Sequence, residues 1–162
     1  MPRSRRSATC CGSTSASNRR AWCSEAEGRR MRLDHVALVV RDLEQVAGFY
    51  QRAFGLAITR RYELPEQGVR VAFLRGSPGG AELELVQPTD PTTGVARYLE
   101  SRGEGMHHLC FEVEDLEAEL ARLRELGVEL IDTVPRQGAE GRVAFVHPRG
   151  AHGVLIELLE RR

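Results

Sequence analysis

Apolar and polar positions alternate from Leu33 to Val40, as in a strand with one buried face. The period then changes. Asp42 stands where a helix N-cap belongs, with Gln45 three residues on. Leu43, Val46, Phe49, Tyr50 and Phe54 recur at helical spacing and are expected to form one packed face, until Gly55 stops the run. Three strand-like runs follow: LAITRRYEL, VRVAFLRG and AELELVQP. The same order then returns. GMHHLCFEV reads as a strand, Asp115 caps LEAELARLRELG, Gly127 ends it, and VELIDTV, GRVAFVHP and GVLIELLE read as three more strands.

The two passages keep register to within one residue. The offset is 73 at His35/His108 and Asp42/Asp115, 72 at Gly55/Gly127 and at the repeated RVAF, and 73 again at Glu84/Glu157. Such a period predicts an α+β fold of two tandem βαβββ modules, residues 31–90 and 105–162. The connector at 91–104 contains VARYLES, which predicts one or two helical turns. A lone module leaves a sheet face bare, so the pair is expected to build one domain, 31–162, with a cupped mixed sheet about a pseudo-two-fold axis.

Of the 162 residues, 41% are hydrophobic and 28% charged, the profile of a soluble protein. No apolar run reaches the length of a membrane span. The net charge of zero hides an asymmetry: residues 1–30 hold seven Arg and two Glu, the remainder sixteen Arg against 21 acids. An acidic body argues against nucleic acid as a partner. Lysine is absent, which points to a GC-rich, bacterial genome. Residues 1–30 are rich in Ser and Arg without apolar periodicity, and are expected to be a disordered tail or a mis-assigned start ahead of Met31. They hold Trp22 and three of the four cysteines, Cys10, Cys11 and Cys23. A lone Cys110 in the body fits a reduced, cytoplasmic compartment and a small core residue.

Strand alternation puts His35 on one face with Ala37 and Val39, and His108 with Cys110, so His107 is expected to point away from His108. Glu84 and Glu157 are symmetry mates on the last strand of each module. The repeat thus gathers two imidazoles and two carboxylates, a donor set for a divalent ion of intermediate hardness such as cobalt, nickel, manganese, iron or zinc. Four protein donors in an octahedral shell would leave two positions for water or a bidentate substrate. His147 and His152, in HPRGAHG, read as turn residues.

LDHVALVVRDLE and the closing LIEL resemble the vicinal-oxygen-chelate superfamily, which includes glyoxalase I, extradiol dioxygenases and fosfomycin-resistance enzymes. PEQGV, VARYLESRGEGMHHLCFEV and HPRGAHGVLIEL are similar to the methylmalonyl-CoA epimerase family within it. The resemblance covers essentially all of 31–162. It implies metal ligands at His35, Glu84, His108 and Glu157, with cobalt first and manganese, nickel or zinc as alternatives. It implies a catalytic base at Glu66, with Glu157 as second acid/base, an acyl-CoA substrate and a homodimer. Glu140, just before the second RVAF, is a further acid/base candidate. Rival readings are a glyoxalase I-type lyase, an extradiol dioxygenase, for which Glu84 would crowd a two-His-one-carboxylate iron site, and a metal-free drug-binding protein of the same fold.

Overall fold

The computed structural model describes residues 31–161; the expectations for residues 1–30, with Cys10, Cys11, Cys23 and Trp22, lie outside them. Strand β1 (Arg32–Val39) leads to helix α1 (Leu43–Phe54), then β2 (Ala57–Leu64), β3 (Val69–Arg75) and β4 (Glu82–Pro88). Helix α2 (Gly94–Arg102) connects to β5 (Gly105–Glu112), α3 (Leu116–Glu125), β6 (Arg136–Gln137), β7 (Gly141–Val146) and β8 (Leu155–Arg161). The caps are those that the polar positions demand. Asp42 Oδ1 accepts from Gln45 N at 3.0 Å, and Asp115 Oδ1 from Ala118 N at 2.8 Å. Gly55 closes α1 in the left-handed conformation, φ 68°.

All eight strands form one mixed sheet in the order β2-β3-β4-β1-β5-β8-β7-β6. The two modules meet at the antiparallel seam between β1 and β5, and in each the first strand pairs in parallel with the last. Side-chain alternation divides this sheet into two faces. Ala72, Leu74 and Leu85 pack with Val40, Leu43 and Ala47 beneath α1. Ala144, Val146 and Leu158 pack with Leu116 and Leu120 beneath α3. The intervening residues, among them Val71, Phe73, Val86, Val143, Phe145 and Leu159, face the other way and line a cleft of about 540 Å³.

Two expectations need correction. VELIDTV is not the full strand that the repeat predicts. Leu130 makes a single bridge to Val146, and regular pairing resumes only at Arg136–Gln137. The cause is local. Asp132 Oδ2 accepts the Phe145 N–H at 2.9 Å, a side chain standing where a neighbouring strand's carbonyl would be. Pro135 has no N–H to give to a ladder. Helix α1 also buries a narrower stripe than expected. Leu43, Val46, Ala47 and Tyr50 face the sheet, whereas Phe49 is 51% and Phe54 64% exposed. At about 100° per residue Phe49 falls on the flank of that stripe, and Phe54 sits in the last turn beside the exposed Gly55.

Candidate metal centre and cleft

The sheet register explains how four distant residues meet. One row across the sheet reads His35–Cys110–Glu157, on β1, β5 and β8. The next reads Glu84–Ala37–His108, on β4, β1 and β5. Each row carries one imidazole and one carboxylate at its ends and a small residue in the middle. Ala37 and Cys110, both fully buried, form a low floor between the polar groups. The expectation of a small core residue at Cys110 thus acquires a reason: a larger side chain there would fill the space.

The His35 and His108 ring centroids are 5.5 Å apart. His35 Nε2 is 3.4 Å from Glu84 Oε2 and 3.5 Å from Glu157 Oε2. His108 Nε2 is 2.8 Å from Glu157 Oε2 and 3.7 Å from Glu84 Oε2. Despite these distances, neither Nε2 has a hydrogen-bond partner, and both are buried. At 2.8 Å the contact fails on direction, so the ring nitrogens and carboxylates converge on common space rather than on one another. Buried polar groups are ordinarily satisfied; two orphaned imidazole nitrogens beside two carboxylates fit a divalent cation with nitrogen and oxygen donors. The repeated RVAF supplies the walls. Phe73 meets the His35 ring edge-on at 5.4 Å, and Phe145 meets His108 at 5.5 Å.

Burial disfavours a charged Glu157, but contacts from His108 and His35 outweigh it and hold the carboxyl well below the usual range. Burial likewise disfavours a charged His35, and the carboxylates around it, Asp34 foremost, raise its affinity for a proton instead. That is the signature of a site whose negative charge calls for a cation. Burial pushes the Cys110 thiol up to about 12, so it stays neutral.

Glu66 lies in the short turn Pro65–Gln67 at the cleft wall. The turn closes on Gly68, φ 62°, whose carbonyl accepts from Thr89 N at 2.8 Å and Asp90 N at 3.2 Å. A Cβ at Gly68 would come within 2.7 Å of both Asp90 and Thr93, so only glycine permits this approach. Among the described residues Glu66 has no recorded ion pair. Glu140 also lines the cleft, but its carboxylate is bound by Arg60, by Tyr62 Oη–H at 3.2 Å and by Arg161 at 2.7 Å. Two guanidiniums and a phenol already occupy this carboxylate, so it is not presented to a substrate as Glu66 is. His147 caps the turn Pro148–Ala151 through Arg149 N, and His152 is the left-handed residue that ends it, so both are turn residues.

Sequence reasoning missed two neighbours of the site. His107 does not point away from His108: the two Nδ1 atoms are 3.0 Å apart. Asp34 Oδ1 accepts from His35 Nδ1 at 2.8 Å, and Asp34 Oδ2 is paired with Arg161 at 2.8 Å. Burial opposes the Asp34 carboxylate, yet these hydrogen bonds bring it down to about 2. Burial, then the charge of His108, brings His107 down to about 4. The only signal was their place directly before each site histidine, where strand alternation would turn them to the opposite face.

Residues 34–145 match the model of the Glyoxalase/Bleomycin resistance protein/Dioxygenase superfamily. The chain is 40% identical over 130 residues to an uncharacterised protein of Bacillus subtilis, covering 80% of this chain and 91% of that one. It is 36% identical over 129 residues to the mitochondrial methylmalonyl-CoA epimerase of Homo sapiens, covering 78% and 72%. A solved methylmalonyl-CoA epimerase in complex with methylmalonyl-CoA and NH4+ superposes with a TM-score of 0.74 at 37% identity, covering 81% of this chain and 94% of that one.

Proposed function

The chain belongs to the Glyoxalase/Bleomycin resistance protein/Dioxygenase superfamily, and from that premise we propose that it is a metal-dependent epimerase interconverting the (R) and (S) forms of methylmalonyl-CoA. The observation that carries the reading is the convergence of the orphaned His35 and His108 Nε2 atoms with Glu84 and Glu157 in the cleft, between the apolar walls of Phe73 and Phe145. The likeness to epimerases, one of them solved with methylmalonyl-CoA, supplies the substrate class.

His35, Glu84, His108 and Glu157 would hold the ion, cobalt first for a mixed nitrogen and oxygen set, with manganese, nickel and zinc as alternatives. A divalent ion held there supplies Lewis-acid stabilisation, worth several kcal/mol, of the negative charge that develops on the substrate's oxygens as its C2 proton leaves. The rest falls to the chain. Val71, Phe73, Val86, Val143 and Phe145 exclude water from the acyl portion. Inversion at C2 needs a proton removed on one face and returned on the other. Of the cleft carboxylates, Glu140 is paired with two arginines; Glu66 is assigned as one acid/base, and Glu157, which also ligates the ion, is the second that the resemblance to epimerases suggests. Glu66 is exposed at the cleft wall, where a substrate covering the turn would place it against the reacting carbon and away from water.

The test is solvent exchange at C2 in deuterated water. Wild type should label C2 while interconverting both isomers. In Glu66→Gln, interconversion should fall by about 10²–10⁴-fold, while one isomer still exchanges through Glu157. Undiminished interconversion would take Glu66 out of the mechanism. Turnover of methylglyoxal with glutathione, and not of methylmalonyl-CoA, would replace the whole reading by a glyoxalase. The proposal includes a cytoplasmic homodimer. The exposed rings of Phe49 and Phe54 offer apolar surface to a second copy; light scattering should return the mass of two chains, and a monomeric mass at working concentrations would reject this part.

A further inference from the structure

The residue before each site histidine is the extra residue of a β-bulge. On β1, Leu33 pairs with Phe111 and His35 with Cys110, so two steps on β1 match one on β5 and Asp34 is the surplus residue. On β5, His108 pairs with Ala37 and Met106 with Leu38, so His107 is surplus there. A bulge interrupts the alternation of side chains and re-aims the extra one. Both re-aimed side chains reach Nδ1 of the histidine that follows, at 2.8 Å from Asp34 and 3.0 Å from His107.

The two supports are chemically different. The Asp34 carboxylate, paired with Arg161, can only accept, so His35 carries its proton on Nδ1 and leaves the Nε2 lone pair toward the site. His107 is an imidazole and can accept or donate. It is fixed from behind. The Tyr98 ring of α2 meets it edge-on at 4.9 Å, and Tyr98 Oη donates to the Met106 carbonyl at 2.6 Å, beside the bulge. The His108 Nε2 atom, like that of His35, is buried without a hydrogen-bond partner. Both Nε2 atoms can present lone pairs to one point only if His108 also keeps its proton on Nδ1 and gives it to His107 Nδ1.

We propose that His107 is a positioning residue, held by the β5 bulge, whose Nδ1 accepts the His108 Nδ1 proton and so locks His108 in the tautomer that presents Nε2 to the cation. This rests on the metal-site reading above. The test is calorimetric titration of metal-free full-length protein with cobalt, together with 15N imidazole NMR of the zinc-loaded form. His107→Leu, which fills the space without an acceptor, should weaken cobalt binding about ten- to a hundredfold and blur the single Nδ1–H signature of His108. His107→Asn, whose amide oxygen can accept in place of Nδ1, should restore most of the affinity and the single tautomer. A leucine variant that binds as tightly as wild type would overturn the proposal and leave the metal site standing. An asparagine variant as weak as leucine would overturn it too, showing that ring packing rather than hydrogen bonding matters. A wild type that takes up no divalent ion would overturn the metal site itself, and this inference with it.

Discussion

His108→Ala should lose stoichiometric divalent metal and, with it, about a thousandfold or more of the epimerisation rate. The magnitude follows from the share of the barrier assigned to charge stabilisation: several kcal/mol, at about 1.4 kcal/mol per decade of rate. The truncation acts at the most constrained point of the site. His108 is buried, its Nε2 lies 2.8 Å from Glu157 Oε2, and its ring packs on Phe145. Removing it takes away a donor and leaves two carboxylates with one imidazole. Elemental analysis and turnover of methylmalonyl-CoA should be measured on the same preparation, with circular dichroism to verify the sheet. Chelating the metal from wild type should reproduce the loss, and adding cobalt should reverse it. Full activity in the chelated protein would end the metal-dependent reading, whatever the variant does.

The second large effect is a contrast between symmetry mates. Glu84 and Glu157 occupy equivalent positions, paired with Ala37 and Cys110 respectively. If both only ligate, replacing either by glutamine, which keeps one donor oxygen, should cost little and equally. The proposal gives Glu157 a proton-transfer role as well. Glu157→Gln should therefore lower turnover by about 10²–10⁴-fold, the usual contribution of a positioned acid/base, with metal still bound. Glu84→Gln should lose far less. Equal effects would confine Glu157 to ligation and leave the second face of C2 without an assigned acid. Metal content separates the cases, since a variant that has lost its ion reports on affinity and not on proton transfer.

These expectations stand on elements of unequal legibility. The caps at Asp42 and Asp115 and the stop at Gly55 could be read directly, because each depends on a few neighbouring residues. The last strand of each module was equally plain. The missing strand in VELIDTV was not, although its cause lies in the chain: Asp132 and Pro135 interrupt the pattern that the repeat extends to this segment. Glu140 looked available in sequence and is not, since Arg60 from β2 and Arg161 from β8 reach it across the fold.

The amino-acid sequence by itself determined the duplication, the α+β order and the common face of His35 with Ala37 and of His108 with Cys110. Alternation along a strand is a local consequence of backbone geometry and holds wherever no bulge intervenes. Only the tertiary structure decided that Asp34 and His107 turn toward those histidines, because a bulge is a mismatch between two strands and neither strand records it alone. It likewise decided that Glu140 is engaged, because its ion pair with Arg60, 80 residues away, depends on where the chain returns.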